Sequence, residues 1–218
     1  MARKAIKAAA HGGRPSRADA LRLRERILAA ATALFLAEGY GSTSIEAVAA
    51  SAGVSKRTLY ARFEDKSALF AAVLHRITDQ IRPPPEVPLL VGGTLPEILR
   101  RLAGMILRAA LSPQAIALHR LVYAESARFP ELVRALETDG GAREATELIS
   151  NLLASELPAT QLSAQDRAFA AQQFIFMVVT LPRRRAMGRG TPMTPAELDA
   201  WAEKVAQLFV RGCQGLGG

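Results

Sequence analysis

Apolar residues recur three and four positions apart along almost the whole chain, and no pair of alternating segments joined by a tight turn interrupts them. That spacing marks one face of an α-helix, so the expected fold class is all-α. From Asp19 to Gly39, the residues Leu23, Ile27, Ala30, Ala31, Leu34 and Phe35 trace such a face, and Gly39 is the expected stop. Thr43-Ser44-Ile45-Glu46 has the form of a capping box that opens a short second helix, with Ile45, Val48, Ala49 and Ala52 inward. Ala52-Gly53-Val54 is a tight break, after which Ser55 suits the cap of a third helix with Leu59 and Phe63 inward. Asp65 caps a fourth, carrying Leu69, Phe70, Val73, Leu74, Ile77 and Ile81 at helical spacing.

Pro83-Pro84-Pro85 and Pro88, then Gly92-Gly93, cannot continue a helix and place a boundary there. Five further helices are expected, about nine in all. They open at the Thr94–Glu97 capping box, at Ser112-Pro113, at Pro130 (weakened by Gly140-Gly141), at Ser163 and at Thr194-Pro195. The apolar run Phe174 to Val179 alone would pass for a strand, but the helical pattern around it is too long for one, with a kink expected at Pro182.

Charge is concentrated at one end. The 218-residue chain carries 28 Lys and Arg against 20 Asp and Glu, a formal net charge of +8. Residues 1–82 hold 14 basic and 7 acidic side chains, a net of +7, which leaves +1 for the remainder. Arg3, Lys4, Lys7, Arg14 and Arg17 fall in residues 1–18 with no acid among them, as expected of a basic, disordered arm able to touch phosphates. A chain this basic is drawn to polyanions, nucleic acid first and an anionic membrane second. No apolar run reaches the ~20 residues of a bilayer span, and no apolar segment follows the basic N-terminus as a secretory signal requires. A cytoplasmic location and no membrane partner are therefore expected. Cys213 stands alone, so no disulfide framework is possible within one chain.

Enzymatic chemistry finds little support. His11, His75 and His119 are far apart, and no His-x-x-x-His, Gly-x-Ser-x-Gly, phosphate-loop or Gly-x-Gly-x-x-Gly motif is present. No catalytic residue, metal or cofactor is expected. Residues 44–63 are more informative: helix, three-residue turn with Gly53, helix is the helix-turn-helix pattern. With Leu59 inward, Arg57 and Ala61 lie opposite it, Lys56 and Tyr60 on one flank, Thr58 and Arg62 on the other. That face mixes cations, hydroxyls and a small side chain, as a major-groove reader requires: Arg grips guanine N7 and O6, and a small residue meets a thymine methyl. Arg57 is assigned a base edge. Lys66 at the start of the fourth helix, Thr43 and Tyr60 are assigned phosphates.

The stretch Arg26 to Val73 resembles the N-terminal domain of tetracycline-repressor-type (TetR/AcrR) transcriptional regulators. The resemblance rests on Ile27-Leu28-Ala29-Ala30-Ala31 through Phe35, Gly39-Tyr40, Thr43-Ser44-Ile45, Ala52-Gly53-Val54-Ser55-Lys56, Leu59-Tyr60, Phe63, Lys66 and Leu69-Phe70. Arg57 and Ala61 depart from the commonest pattern, where Gly and a second aromatic are frequent. Leu121 to Glu125 and Arg128 to Leu132 are similar to the C-terminal domain of an AcrR-like subgroup. The resemblance implies a helix-turn-helix domain over 19–66 and a ligand-binding and dimerisation domain over 67–218. It also implies a homodimer on a palindromic operator in double-stranded DNA, and a small-molecule effector.

Met105, His119, Tyr123, Phe174 and Met177 are the candidate pocket residues, although aromatic and Met residues at this spacing are also ordinary core. The expected dimer helices carry Phe169, Ile175, Phe176 and Val179 on one and Leu198, Trp201, Val205, Leu208 and Phe209 on the other. The expected function is a repressor released from its operator by an apolar or amphipathic ligand. A constitutive DNA binder and an α-helical enzyme with a hidden pocket are the alternatives, and neither effector, operator nor the sign of regulation is named by the sequence.

Overall fold

The computed structural model describes residues 16–81, 92–139, 142–157 and 162–215. Most of the basic arm expected over 1–18, the prolines at 83–88 and Gly140-Gly141 lie outside them. Ten helices and no strand occupy the described residues: α1 (Arg17–Glu38), α2 (Ile45–Ser51), α3 (Lys56–Tyr60), α4 (Lys66–Ile81), α5 (Leu95–Ala110), α6 (Pro113–Glu125), α7 (Glu131–Asp139), α8 (Ala142–Glu156), α9 (Ala164–Ala186) and α10 (Pro195–Gly215). The segment from Pro130 forms two helices, α7 and α8, where one was expected.

Side-chain caps set most of the helix starts. Ser16 and Asp19 cap α1 reciprocally, so the helix begins two residues before the expected Asp19. Gly39, at φ 86°, ends it in a conformation that a Cβ would strain. Ser55 accepts the Thr58 amide at 3.1 Å and Asp65 accepts the Ala68 amide at 2.7 Å, both as expected. The Thr94 amide donates to the Glu97 carboxylate at 2.7 Å, closing one half of the box at the head of α5.

The cap of α2 differs from expectation. Ser44, not Thr43, receives the Ala47 amide, and the Thr43 hydroxyl turns inward to donate to the Gly39 carbonyl at 2.7 Å. Glu46 does not reach back to a cap amide; its carboxylate pairs with Lys56 on α3 at 3.0 Å. A tertiary ion pair and an open carbonyl at the end of α1 thus compete successfully with a purely local motif.

Two apolar cores form. The first joins α1 to α4 through Ile27, Phe35, Val48, Leu59, Leu69 and Phe70, and takes in Leu118 and Val122 of α6 with Leu132 and Ala135 of α7. The second joins α5, α8, α9 and α10 through Leu99, Leu102, Leu153, Phe174, Val178 and Phe209. Helices α6 and α7 therefore extend the N-terminal core, although they follow α5 in the chain.

Helix α9 runs through Pro182 without ending. Proline has no N–H, so the carbonyl four residues earlier, at Val178, loses its intrahelical donor. The indole N–H of Trp201 on α10 supplies one across the interface, at 2.9 Å. A proline inside one helix is thereby turned into a directional tie to the next. Trp201→Phe should cost about 1–3 kcal/mol in urea unfolding, because a buried carbonyl is left without a partner. In a Pro182→Ala background, where the backbone donor returns, that cost should shrink.

Candidate nucleic-acid interface

The turn between α2 and α3 is built by backbone bonds. Gly53, at φ 64°, sends its amide to the Ala50 carbonyl, and the Val54 amide reaches Ala49 at 2.9 Å. No heavy atom lies within 4 Å of where a Gly53 Cβ would stand, so the glycine is required by its backbone angle and not by crowding. Helix α3 is shorter than expected, ending at Tyr60 and not at Phe63. Phe63 is nevertheless buried, because its amide still bonds to the Leu59 carbonyl at 3.0 Å and keeps the ring beneath the helix. The Arg24 guanidinium of α1 lies 5.9 Å over that ring, a contact that the sequence spacing gave no reason to expect.

Leu59 points inward, and Lys56, Arg57, Tyr60, Ala61 and Arg62 are exposed together on α3 and the turn after it. Ser55 and Thr58 belong to the cap, sharing a hydroxyl–hydroxyl hydrogen bond at 2.8 Å. Lys56 is engaged by Glu46, which holds α3 against α2 and draws the Glu46 carboxyl below its ordinary pKa. Among the described residues neither Arg57 nor Arg62 has an ion-pair partner, so both guanidinium groups are available to an outside anion.

Two of the expected phosphate contacts do not fit the geometry. Thr43 is only 1 % exposed and its hydroxyl is spent on Gly39. The Lys66 ammonium donates to the carbonyls of Tyr40 at 2.9 Å, Thr43 at 3.1 Å and Gly41 at 3.5 Å, and lies 4.4 Å over the Tyr40 ring. Three acceptors match the three protons of an ammonium. Lys66 is an internal brace of the α1–α2 turn, its ammonium directed at that turn's carbonyls.

Residues 27–73 match the family described as bacterial regulatory proteins of the tetR family, and residues 97–212 match the C-terminal domain of AefR-like transcriptional repressors. The chain belongs to the TetR family. It is a helix-turn-helix transcriptional regulator with the fold and domains of that family's repressors. The HTH-type transcriptional repressor BepR of Brucella suis biovar 1 (strain 1330) is 36% identical over 63 residues, 29% of this chain and 30% of BepR, so the match spans less than a third of that relative. A TetR-family regulator from Mesorhizobium loti MAFF303099 is similar in structure with a TM-score of 0.68 and 29% identity, covering 90% of this chain and 98% of that one. The flavonoid-responsive regulator FrrA has a TM-score of 0.69 and 29% identity, covering 89% and 98%.

The five candidate pocket residues of this TetR-family chain differ in burial. Phe174 is sealed in the second core against Phe209, with ring centroids 4.9 Å apart. Tyr123 is 62 % exposed on α6, while Met105 and Met177 pack half-buried on the second core. His119 is half-buried, with Nε2 3.2 Å from Nη1 of Arg183 on α9 and a buried Nδ1 that has no partner among the described residues. Burial first and the Arg183 charge second push its pKa down to about 4, so the ring is neutral. Because Arg183 can only donate, Nε2 accepts, and the proton sits on Nδ1.

The expected dimer residues also divide. Val179, Val205 and Phe209 are buried within the protomer, and Ile175, Leu198 and Trp201 pack half-buried on the same core. Helix α5 covers them, which the sequence of α9 and α10 alone does not reveal. Phe169, Phe176 and Leu208 remain exposed at 56 %, 50 % and 62 %.

The brace assigned to Lys66 has a measurable consequence. Lys66→Met should lower stability by about 1–3 kcal/mol, since buried carbonyls lose a charged donor. Equilibrium unfolding reads that loss. The salt dependence of DNA binding should keep its slope, whereas removal of one phosphate contact would reduce it by about 0.9 per subunit.

Proposed function

We propose that the protein is a homodimeric, sequence-specific repressor that binds a palindromic operator and leaves it when a small apolar or amphipathic ligand binds the C-terminal body. The proposed division is a DNA-binding headpiece over 19–66 and a ligand-binding and dimerising body over 67–218. The observation that carries the reading is the outer face of α3 and the turn after it, where among the described residues Arg57 and Arg62 have no ion-pair partner and stand exposed beside Tyr60 and Ala61. Arg57 is the base reader, and Tyr60 donates its hydroxyl to a phosphate. Arg62 and Lys56 add positive charge at the groove edge, as protein–DNA interfaces require.

Support for release by a ligand comes from the flavonoid-responsive regulator FrrA, whose fold this chain shares at 29% identity. Within this chain, His119 and Arg183 provide the polar element of a binding site between α6 and α9. A neutral imidazole N–H lacking an acceptor suits a ligand that brings a carbonyl or phenolate oxygen.

Selection from a random pool of duplexes tests the reading directly: palindromic winners are expected, and enrichment of none would overturn it. On the preferred operator Arg57→Ala should cost about 1–3 kcal/mol and relax preference at one base pair per half-site. A loss equal on all sequences would move Arg57 to a phosphate.

Dimerisation is assigned to the outer faces of α9 and α10. Phe169 and Phe176 are two helical turns apart on α9, and Leu208 is exposed on α10, so the unpaired apolar surface forms a stripe suited to a second copy. An interface of four such helices is of the obligate class, roughly 2,000 Å² or more. Phe176→Glu should yield monomers in sedimentation at micromolar concentration, and a wild-type protein that is itself a folded monomer would overturn the assignment.

A further inference from the structure

One carboxylate of the body holds the backbone of the headpiece directly. Glu125, the last residue of α6, accepts the backbone N–H groups of Tyr40 and Gly41 at 2.7 Å each, one on either oxygen. Those amides lie in the turn between α1 and α2, 85 and 84 residues earlier in the chain. The approach is so close that a Cβ at Gly39 would stand 2.7 Å from Glu125 Oε1, and one at Gly41 3.0 Å from the Phe129 ring and 3.2 Å from Glu125 Oε2. Gly39 is thus needed for the carboxylate to reach the backbone, and a side chain at Gly41 would crowd it. Phe129 packs edge-on to Tyr40 at 5.1 Å, and the Tyr40 hydroxyl reaches Glu131 at 3.4 Å.

Two other directional contacts cross the joint, the Tyr40 hydroxyl to Glu131 and the Arg76–Glu25 ion pair at 2.8 Å, but Glu125 alone holds the backbone of the α1–α2 turn with two hydrogen bonds. The rest of the joint is apolar packing, Leu118 and Val122 of α6 and Leu132 and Ala135 of α7 joining the core built by α1 to α4. Apolar packing of this kind resists separation but tolerates sliding, whereas two charge-assisted hydrogen bonds fix an orientation. Helix α6 is itself tied to the end of α9: Arg120 donates to the Ala186 carbonyl at 3.0 Å, and Arg183 donates to His119. The Lys66 brace and the Glu46–Lys56 pair then carry the position of the turn to α2 and α3.

We propose that Glu125 is the positioning residue that sets the angle of α3 against the body, and with it the half-site spacing that the dimer accepts. The inference rests on the homodimeric DNA-binding reading. Two recognition helices engage successive major grooves only when their separation matches the helical repeat. One added base pair displaces and rotates a half-site, so a headpiece held at a fixed angle rejects it. A headpiece that can slide accepts it.

The test measures affinity of the full-length protein for a series of operators. Each carries the selected half-sites, with the central spacer shortened or lengthened by one or two base pairs. Wild type should prefer one spacing over its neighbours by at least about fivefold, the lower range of coupling between sites. In Glu125→Ala the profile should flatten to within about twofold while the best operator still binds. Glu125→Gln, which keeps one acceptor oxygen, should fall between. Amide exchange at Tyr40 and Gly41, followed without DNA, should accelerate in both variants. A variant that is merely destabilised loses the same factor on every spacing, so a changed profile is not a folding effect. A Glu125→Ala protein with the wild-type profile overturns the positioning role and leaves the DNA-binding reading intact. A wild-type protein indifferent to spacing overturns the paired-headpiece reading itself.

Discussion

The ring of Tyr40 packs against Phe35, Phe70 and Phe129, with centroids 5.6, 5.5 and 5.1 Å away, beneath the ammonium of Lys66. Through these contacts the α1–α2 turn is held by α1, by α4 and by the segment that joins α6 to α7. Aromatic pairs in such geometry contribute about 0.5–1.5 kcal/mol each beyond the area they bury. Burial first and Glu131 second raise the pKa of the Tyr40 hydroxyl well above its ordinary value, so it remains a donor to the carboxylate. The carbonyls of the same turn are satisfied by Lys66 and its amides by Glu125. A segment that would otherwise expose its backbone to water becomes the point where the two ends of the molecule meet. The placement of α2 and α3, and so of Arg57, depends on it.

The second core solves a different problem. Helices α9 and α10 must hold each other within the protomer while still offering an apolar face outward. Phe174, Val178 and Val179 face α5 and α10, and the Trp201–Val178 bond fixes the pairing across the missing donor of Pro182. Phe169 and Phe176 fall on the opposite side of α9 from Phe174 and Val178 by helical geometry. Phe174 and Val178 thus serve burial while Phe169 and Phe176 stay exposed on another stripe of the same helix.

Much of the interface was legible in sequence because it depends on local signals. The helix starts at Ser55 and Asp65, the stop at Gly39 and the break at Gly53 follow from side-chain caps and backbone angles within a few residues. The outward face of α3 follows from periodicity once Leu59 is inward. Thr43, Lys66 and Glu46 depart from expectation for one shared reason: each meets, within the fold, a partner that its own neighbourhood in sequence does not reveal. Phe174 and Tyr123 show the same limit. Both are large and apolar enough to line a cavity, yet one is sealed and the other exposed, according to whether a helix happens to lie over it.

What the sequence alone determined is therefore the all-α class with most of its helices, the helix-turn-helix and the family, since all three rest on spacings of three to seven residues and on caps that act at short range. Only the tertiary structure decided which polar groups remain free. Glu125 carries no local signature of its role, because its partners are backbone amides with no residue identity to read, more than eighty positions away. Lys66 looks in sequence like any exposed cation at the head of a helix. Hydrogen-bond demand is satisfied by proximity in space, and proximity between distant segments is what folding creates.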